Sequence, residues 1–191
     1  MNAEETVFNC ILTRRSVRKY RPDKIPDEMI EKIITAGINA PSALSKQPWR
    51  FLVVSDADLL KRMSDFIKPQ IYSNLKNDSS SSTKKYLEMA GAENFSLFYS
   101  APHLIIVLGD DTNPLSDIDC ALCAENMMLA AHGMSIGSCW IGSARMASKS
   151  SELMAELDIP KGFHIVAPVV FGYPDEKPAK PEKNSPVIYR R

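Results

Sequence analysis

Three apolar runs rich in β-branched residues constrain this chain most: FLVVS (51–55), HLIIVLG (103–109) and FHIVAPVVFGYP (163–174). Each is short and bounded by turn formers, so each reads as a strand. HLIIVLG is apolar from Leu104 to Leu108, which marks a buried strand rather than one with a wet face. SCWIG (138–142) adds a fourth, with Gly137 before it and Gly142 at its end. Pro168 lies inside the third run and predicts a bulge or an edge position there, because proline cannot donate to a ladder.

Helical periodicity fills the spaces between. Residues 3–12 carry Val7, Cys10 and Ile11 at helical spacing. Pro26 opens a second helix with Asp27 and Glu28 in its first turn, where the dipole favours acids. Ile30, Ile33, Ile34, Gly37 and Ile38 form its apolar face, and it stops before Pro41. Asp56 or Asp58 caps a third helix through Leu59, Leu60, Met63, Phe66 and Ile67. Residues 68–82 are polar and end in a serine run, which predicts a mobile loop; 84–99 and 151–157 read as further helices. The strongest helical pattern is 117–134, with a face of small residues (Ala121, Ala124, Ala131) beside Met128. Four strands alternating with six helices indicate α+β or α/β layers in one domain, 1–191, with no repeat and no linker. The end, DEKPAKPEKNSPVIYRR, cannot form a compact element alone, so Val187, Ile188 and Tyr189 must dock on something.

The charge balance narrows the function. Lys+Arg and Asp+Glu both number 23, so no global positive field recommends nucleic acid as a partner. No apolar run approaches the ~20 residues of a membrane span, and the acidic start MNAEETVF lacks a signal peptide's apolar segment. Cys10, Cys120, Cys123 and Cys139 lie among core-like residues and read as reduced thiols of a cytoplasmic protein. The Cys-x-x-Cys in DCALC falls within the helical pattern and has no second pair, so packing explains it better than zinc or redox chemistry. His103, His132 and His164 are scattered without metal spacing, and none falls in a ligand-like motif.

Three stretches carry chemistry. RRSVRKY (14–20) concentrates four cations around one hydroxyl. In extended backbone, Arg14, Ser16 and Arg18 project to one side, with Arg15 and Val17 on the other. Planar guanidinium forks and a hydroxyl suit one compact phosphate; a solvated basic loop explains the same residues. NAPSALSKQPWRF (39–51) is stiffened by Pro41 and Pro48, and small Ser42 and Ala43 let a flat ligand approach the main chain, with Gln47 as donor or acceptor. An ordinary helix-to-strand loop is the plainer account. GSCWIGSAR (137–145) offers glycine backbone that a ligand can approach, or simply a buried strand with Trp140 in the core.

Taken in order, R-x-S-x-R, APSA-x-x-x-QPW-x-F, the D-x-x-x-A-x-x-N-x-x-L-A-A helix, GSCWIG and GYPDEKP resemble the nitroreductase family of FMN-dependent oxidoreductases. The resemblance implies an α+β three-layer sandwich with a mixed central sheet flanked by helices. It implies an obligate homodimer, with 117–134 as the dimer helix and a domain-swapped tail, about 175–191, wrapping the partner. It implies FMN at the dimer interface, NAD(P)H as reductant and ping-pong transfer to nitroaromatics, quinones or similar acceptors, with no catalytic side chain. Arg14, Arg15, Ser16 and Arg18 match positions at the FMN phosphate and pyrimidine edge. Pro41, Ser42 and Ala43 match the loop reaching the flavin from the other subunit, while Ser45 stands where asparagine is usual. Asn94 matches an asparagine near the pyrimidine ring, and Ile141 and Gly142 match backbone near flavin N5. Lys183, then Lys180, are the tail candidates for the phosphate, with a point charge where arginine is common. The 68–100 region spans the place where relatives vary their substrate lids, and Phe95, Phe98 and Tyr99 read as core first. Same-fold alternatives are reductive dehalogenation, flavin fragmentation, or a non-catalytic FMN-holding module.

Overall fold

A computed structural model describes residues 3–92 and 95–191. In chain order the elements are α1 (Ala3–Thr13), α2 (Asp27–Ile38), β1 (Trp49–Val54), α3 (Ala57–Leu75), α4 (Ser81–Ala90), β2 (His103–Asp110), α5 (Ser116–Gly133), β3 (Gly137–Trp140), α6 (Ser151–Glu156) and β4 (Phe163–Gly172). Short 3-10 turns lie at Ala43–Ser45 and Gly142–Lys149.

The sheet order is β1-β2-β4-β3, and every ladder in it is antiparallel. The resemblance implies a mixed sheet; within this chain, parallel pairing among the described residues is confined to one bridge, Ser16 to Ser138. The connections explain this. Val54, closing β1, lies beside Leu104 at the start of β2, and Asp110, closing β2, lies beside Phe163 at the start of β4. Each intervening helical segment therefore returns the chain to the end it left, and the next strand runs back.

The sheet is buried on both faces. Leu104, Ile106 and Leu108 join Leu59, Met63, Ile67 and Ile71 of α3 in one core, while Ile105 and Val107 join Ile33 of α2 and Cys123 and Met127 of α5 in the other. α2 approaches α5 so closely that a Cβ on Gly37 would stand 2.7 Å from Met127 Cγ and 3.0 Å from Cys123 Sγ. This explains why glycine sits inside a helix, where it otherwise costs about 1 kcal/mol.

Pro168 proves to lie in an inner strand, two residues from the bulge. Register shifts so that Val107 faces Ala167 and Leu108 faces Ile165, leaving Val166 extra. Pro168 is tolerated because β3 has ended opposite it: its carbonyl accepts the Ile141 N–H at 2.8 Å, and no further strand residue needs a donor there.

The loop predicted at 68–82 is a correction. α3 runs on to Leu75, because Ile67, Ile71 and Leu75 continue the apolar stripe every four residues, and Pro69 takes an exposed position. Ser80 then caps α4 by accepting the Thr83 N–H. The helix predicted over 84–99 starts earlier and stops at Ala90; Phe98 is a core residue, while Phe95 and Tyr99 are half-buried and meet edge to face at 5.9 Å. Beyond Asp175 the chain forms no helix or strand, and Val187 and Tyr189 remain 79% and 88% exposed. No helix among the described residues is long and apolar enough to cross a membrane.

Candidate functional site

The basic stretch is extended because it leaves α1 and immediately pairs with the sheet. Arg14 N–H makes the last helical bond, to Cys10 O at 3.0 Å; Ser16 then bridges Ser138, and Val17 N–H donates to Ser138 O at 3.0 Å. Val17 packs into the core, and the Tyr20 hydroxyl donates back to its carbonyl at 2.8 Å. Two neighbouring cavities open here. One, about 530 Å³, is lined by Arg14, Arg15, His132, Ser138, Lys177 and Lys180 among others. The second, about 460 Å³, has Arg15, Ser16, Arg18 and Glu176 in its wall.

Arg15 was expected opposite Arg14 and Arg18, yet it lines both cavities. Its guanidinium folds back to donate to Leu12 O at 2.8 Å and Arg14 O at 2.6 Å, carbonyls left over at the C-terminus of α1, and this turns it to the shared wall. Arg14 is partly buried, with Nε 3.5 Å from Glu125. Arg18 lies beside the Tyr99 phenol, whose pKa burial raises, so the phenol is neutral. Tyr99 reaches it from a left-handed backbone (φ 55°), a strained conformation for an aromatic residue. Glu176 accepts the Arg18 backbone N–H and brings one carboxylate to the rim.

His132 was not among the candidate ligands, yet it lines the first cavity. Thr13 Oγ1 donates to Asn9 O at 2.7 Å and so accepts from His132 Nε2 at 2.9 Å. Burial, then Arg14 and Arg15, lower the His132 pKa, so the ring is neutral near pH 7. Nothing local in sequence signals this, since Thr13 and His132 lie 119 positions apart. Lys177 and Glu176 were equally missed as lining residues, although they stand inside the quoted GYPDEKP. Lys180 lines the first cavity and Lys183 lines neither.

The 41–47 loop contributes to neither cavity in this chain. It is nonetheless built. Leu44, Ser45 and Gln47 all take positive φ (51°, 54° and 47°), and the Gln47 N–H donates to Ser42 Oγ at 3.0 Å. Both oxygens of the buried Asp119 carboxylate, in the first turn of α5, accept from Ala43 N–H at 3.2 Å. Leu44 is left 91% exposed at the tip, and Pro41 and Ser42 lead into it. In GSCWIG, the Ile141 N–H is committed to Pro168, which removes it as a ligand donor; Gly142, exposed, is the accessible backbone of that pair. The Tyr86 phenol of α4 lies beside Ser143 just beyond, and Asn74 Nδ2 lies 4.0 Å from Met146 Sδ. Asn94 lies outside the described residues.

The single chain thus assembles a basic corner from residues 14–18, α5, β3 and the tail, and leaves a pinned, strained loop elsewhere with its apolar tip in solvent. Comparison with known proteins identifies the family and the fold. The model of the Nitroreductase family aligns with residues 11–173. A relative in Archaeoglobus fulgidus, named "Putative NADH dehydrogenase/NAD(P)H nitroreductase", is 35% identical over 182 residues, 91% of this chain and 88% of the relative. An iodotyrosine deiodinase of Thermotoga neapolitana is 25% identical over 195 residues, covering 95% of this chain and 96% of that one. The crystal structure of a nitroreductase with bound FMN from Bacteroides fragilis superimposes with a TM-score of 0.78 at 28% identity, covering all of both chains. The α+β sandwich seen here is the nitroreductase fold, and the chain belongs to the nitroreductase family.

Proposed function

We propose that this chain is an FMN-dependent oxidoreductase working as a homodimer, taking reducing equivalents from NAD(P)H and delivering them to flat electron-poor acceptors such as nitroaromatics or quinones. The observation that carries the reading is the pair of adjoining cavities walled by Arg14, Arg15, Arg18, Lys177 and Lys180, in a chain with no net charge. Such a concentration fits a phosphate ester, for which guanidinium forks supply paired, charge-assisted hydrogen bonds. The donor set fits FMN. Arg14, Arg15 and Lys180 would hold its phosphate, and Arg18, beside Tyr99, would meet an acceptor edge of its ring. Bound FMN supplies the two-electron redox chemistry; the protein positions it, excludes water and leaves one face open.

The 41–47 loop fits a role across the interface. Asp119 pins Ala43, the left-handed residues fix the turn, and Pro41, Ser42, Ala43, Ser45 and Gln47 form a rigid edge for the partner's flavin. The exposed tail, 175–191, would wrap the partner, with Val187, Ile188 and Tyr189 buried on it.

Purified protein is expected to be yellow and to release FMN rather than FAD. Colourless protein that fails to take up FMN overturns the reading. Given the deiodinase relative, the acceptor is tested by anaerobic reduction of the bound flavin with NADH and with NADPH. Reoxidation by a nitroaromatic, a quinone and 3-iodo-L-tyrosine follows. Turnover of iodotyrosine alone would reassign the chemistry to reductive dehalogenation.

A further inference from the structure

A second large cavity, about 550 Å³, shares no lining residue with the basic corner. Its walls are the N-terminal turns of α3, the 95–102 segment, and the extended stretch at Pro22 and Lys24. Half-buried Phe95 gives it apolar surface, backed by the nearly buried Leu60, Phe98 and Ala101. Lys24, Lys61 and Lys68 face a single carboxylate, Asp65.

The charges do not cancel. Lys61 is paired with Asp65 at 2.6 Å, which leaves two ammonium groups over. Lys68 is fixed in place, donating to Phe95 O at 2.8 Å with its nitrogen 5.9 Å from the Phe95 ring centre. Lys24 makes no ion pair among the described residues. Such a cavity is complementary to a single negative charge on an apolar body.

Ser55 adds a directed donor. Ile25 N–H donates to His103 Nε2 at 3.0 Å, so the neutral ring carries its proton on Nδ1 and gives it to Ser55 Oγ at 2.7 Å. Burial and the nearby Lys24 lower the His103 pKa and keep the ring neutral. Ser55, accepting from His103, keeps its own hydroxyl proton to give to a ligand in the cavity it lines. The far wall includes Ser100, held at φ 54° next to Tyr99 at φ 55°, so that side is set by strained, specified backbone.

We propose that this cavity binds a small planar molecule carrying one carboxylate, its body along Leu60 and Phe95 and its carboxylate against Lys24 and the Ser55 hydroxyl. Nothing in this depends on the flavin reading.

The probe is 2-naphthoate, titrated calorimetrically into the full-length, FMN-loaded protein, with neutral 2-naphthalenemethanol as the matched body without charge. Binding of about one naphthoate per chain is expected, with the alcohol at least roughly tenfold weaker, as loss of charge-assisted bonds requires. Lys24→Gln and Ser55→Ala should each weaken naphthoate several-fold, and Lys24→Gln should leave the alcohol unchanged. Ala57→Trp, at an exposed wall position, should plug the cavity and abolish binding while FMN content and melting temperature hold. Equal affinity for acid and alcohol, full binding by Ala57→Trp, or no naphthoate binding would each overturn the proposal.

Discussion

Arg14 shows what a single residue contributes and how far sequence can read it. Its alternation with Ser16 and Arg18 is local, so the phosphate-like pattern is visible in seven letters. Arg14→Ala should weaken FMN binding by about 1.5–3 kcal/mol, the range for a hydrogen bond to a charged group; unchanged affinity by fluorescence titration would remove its assigned role. Glu176 works in the opposite sense, since its carboxylate stands at the rim of both cavities. Glu176→Gln keeps an acceptor for the Arg18 N–H and drops the charge. FMN should bind tighter by roughly 0.5–1 kcal/mol at low ionic strength, with the gain shrinking as salt is added. His132, Lys177 and the committed Ile141 amide were illegible for one reason: each depends on a partner the fold brings from elsewhere in the chain. His164 is a further non-local case, with Nδ1 2.7 Å from Asp111 and Nε2 2.6 Å from Asp117. A ring bonded to two carboxylates must carry both protons. Burial opposes that charge, but the hydrogen bonds to Asp117 and Asp111 outweigh it and raise the His164 pKa. A raised folded-state pKa gives stability that is complete below about pH 6.5, the unfolded value, and is lost as pH climbs through the folded value. Wild-type melting temperature should therefore fall across that window, and His164→Gln should flatten the slope.

At the scale of elements, apolar periodicity read well where it was strong and failed where polar residues diluted it. β2 is apolar from Leu104 to Leu108, and 117–134 differs by one residue at each end from the helix observed. The C-terminal turns of α3 were missed because Pro69 and a polar surround hid the stripe of Ile67, Ile71 and Leu75, whose burial on the sheet core holds them helical despite the missing N–H. Of the two readings Pro168 allowed, the strand carries the bulge, at Val166, and is not an edge; where the neighbouring strand ends explains how the proline is tolerated. Gly37 tests the packing of α2 on α5. Helix propensity alone says Gly37→Ala should stabilise by up to about 1 kcal/mol. The 2.7 Å and 3.0 Å contacts with Met127 and Cys123 say the opposite, because Met127 Cγ is not the free end of its side chain. Overpacking costs typically 1–3 kcal/mol, so the variant should be net destabilised by about 1 kcal/mol in chemical denaturation. A gain in stability would show that the two helices part without cost.

Taken as one molecule, the chain leaves several apolar side chains in water that the proposed dimer would cover. Leu115, which caps α5, and Ile118 and Leu122 on it form an outward stripe at helical spacing, 44%, 60% and 43% exposed. Val7, Phe8, Ile11 and Leu12 of α1, Leu44 at the loop tip, and Val187, Ile188 and Tyr189 in the tail are exposed too. Scattered singly such residues mean little, but a stripe on the helix that also pins the 41–47 loop through Asp119 is another matter. The loop residues matched to the cofactor lie outside both cavities of their own chain, so the site as proposed is finished only when a second copy brings its loop to the first. Ile118→Asp places a charge in the middle of the stripe without touching either core of the monomer. Burying that carboxylate unpaired at an interface costs several kcal/mol, while leaving it in the monomer's solvent costs nothing. The variant should therefore sediment as a folded monomer at micromolar concentration and lose bound FMN in the same step, although Arg14, Arg15 and Arg18 are untouched. A folded monomer that keeps its flavin at wild-type affinity would show that one chain suffices, and the loop would then have no part in the site.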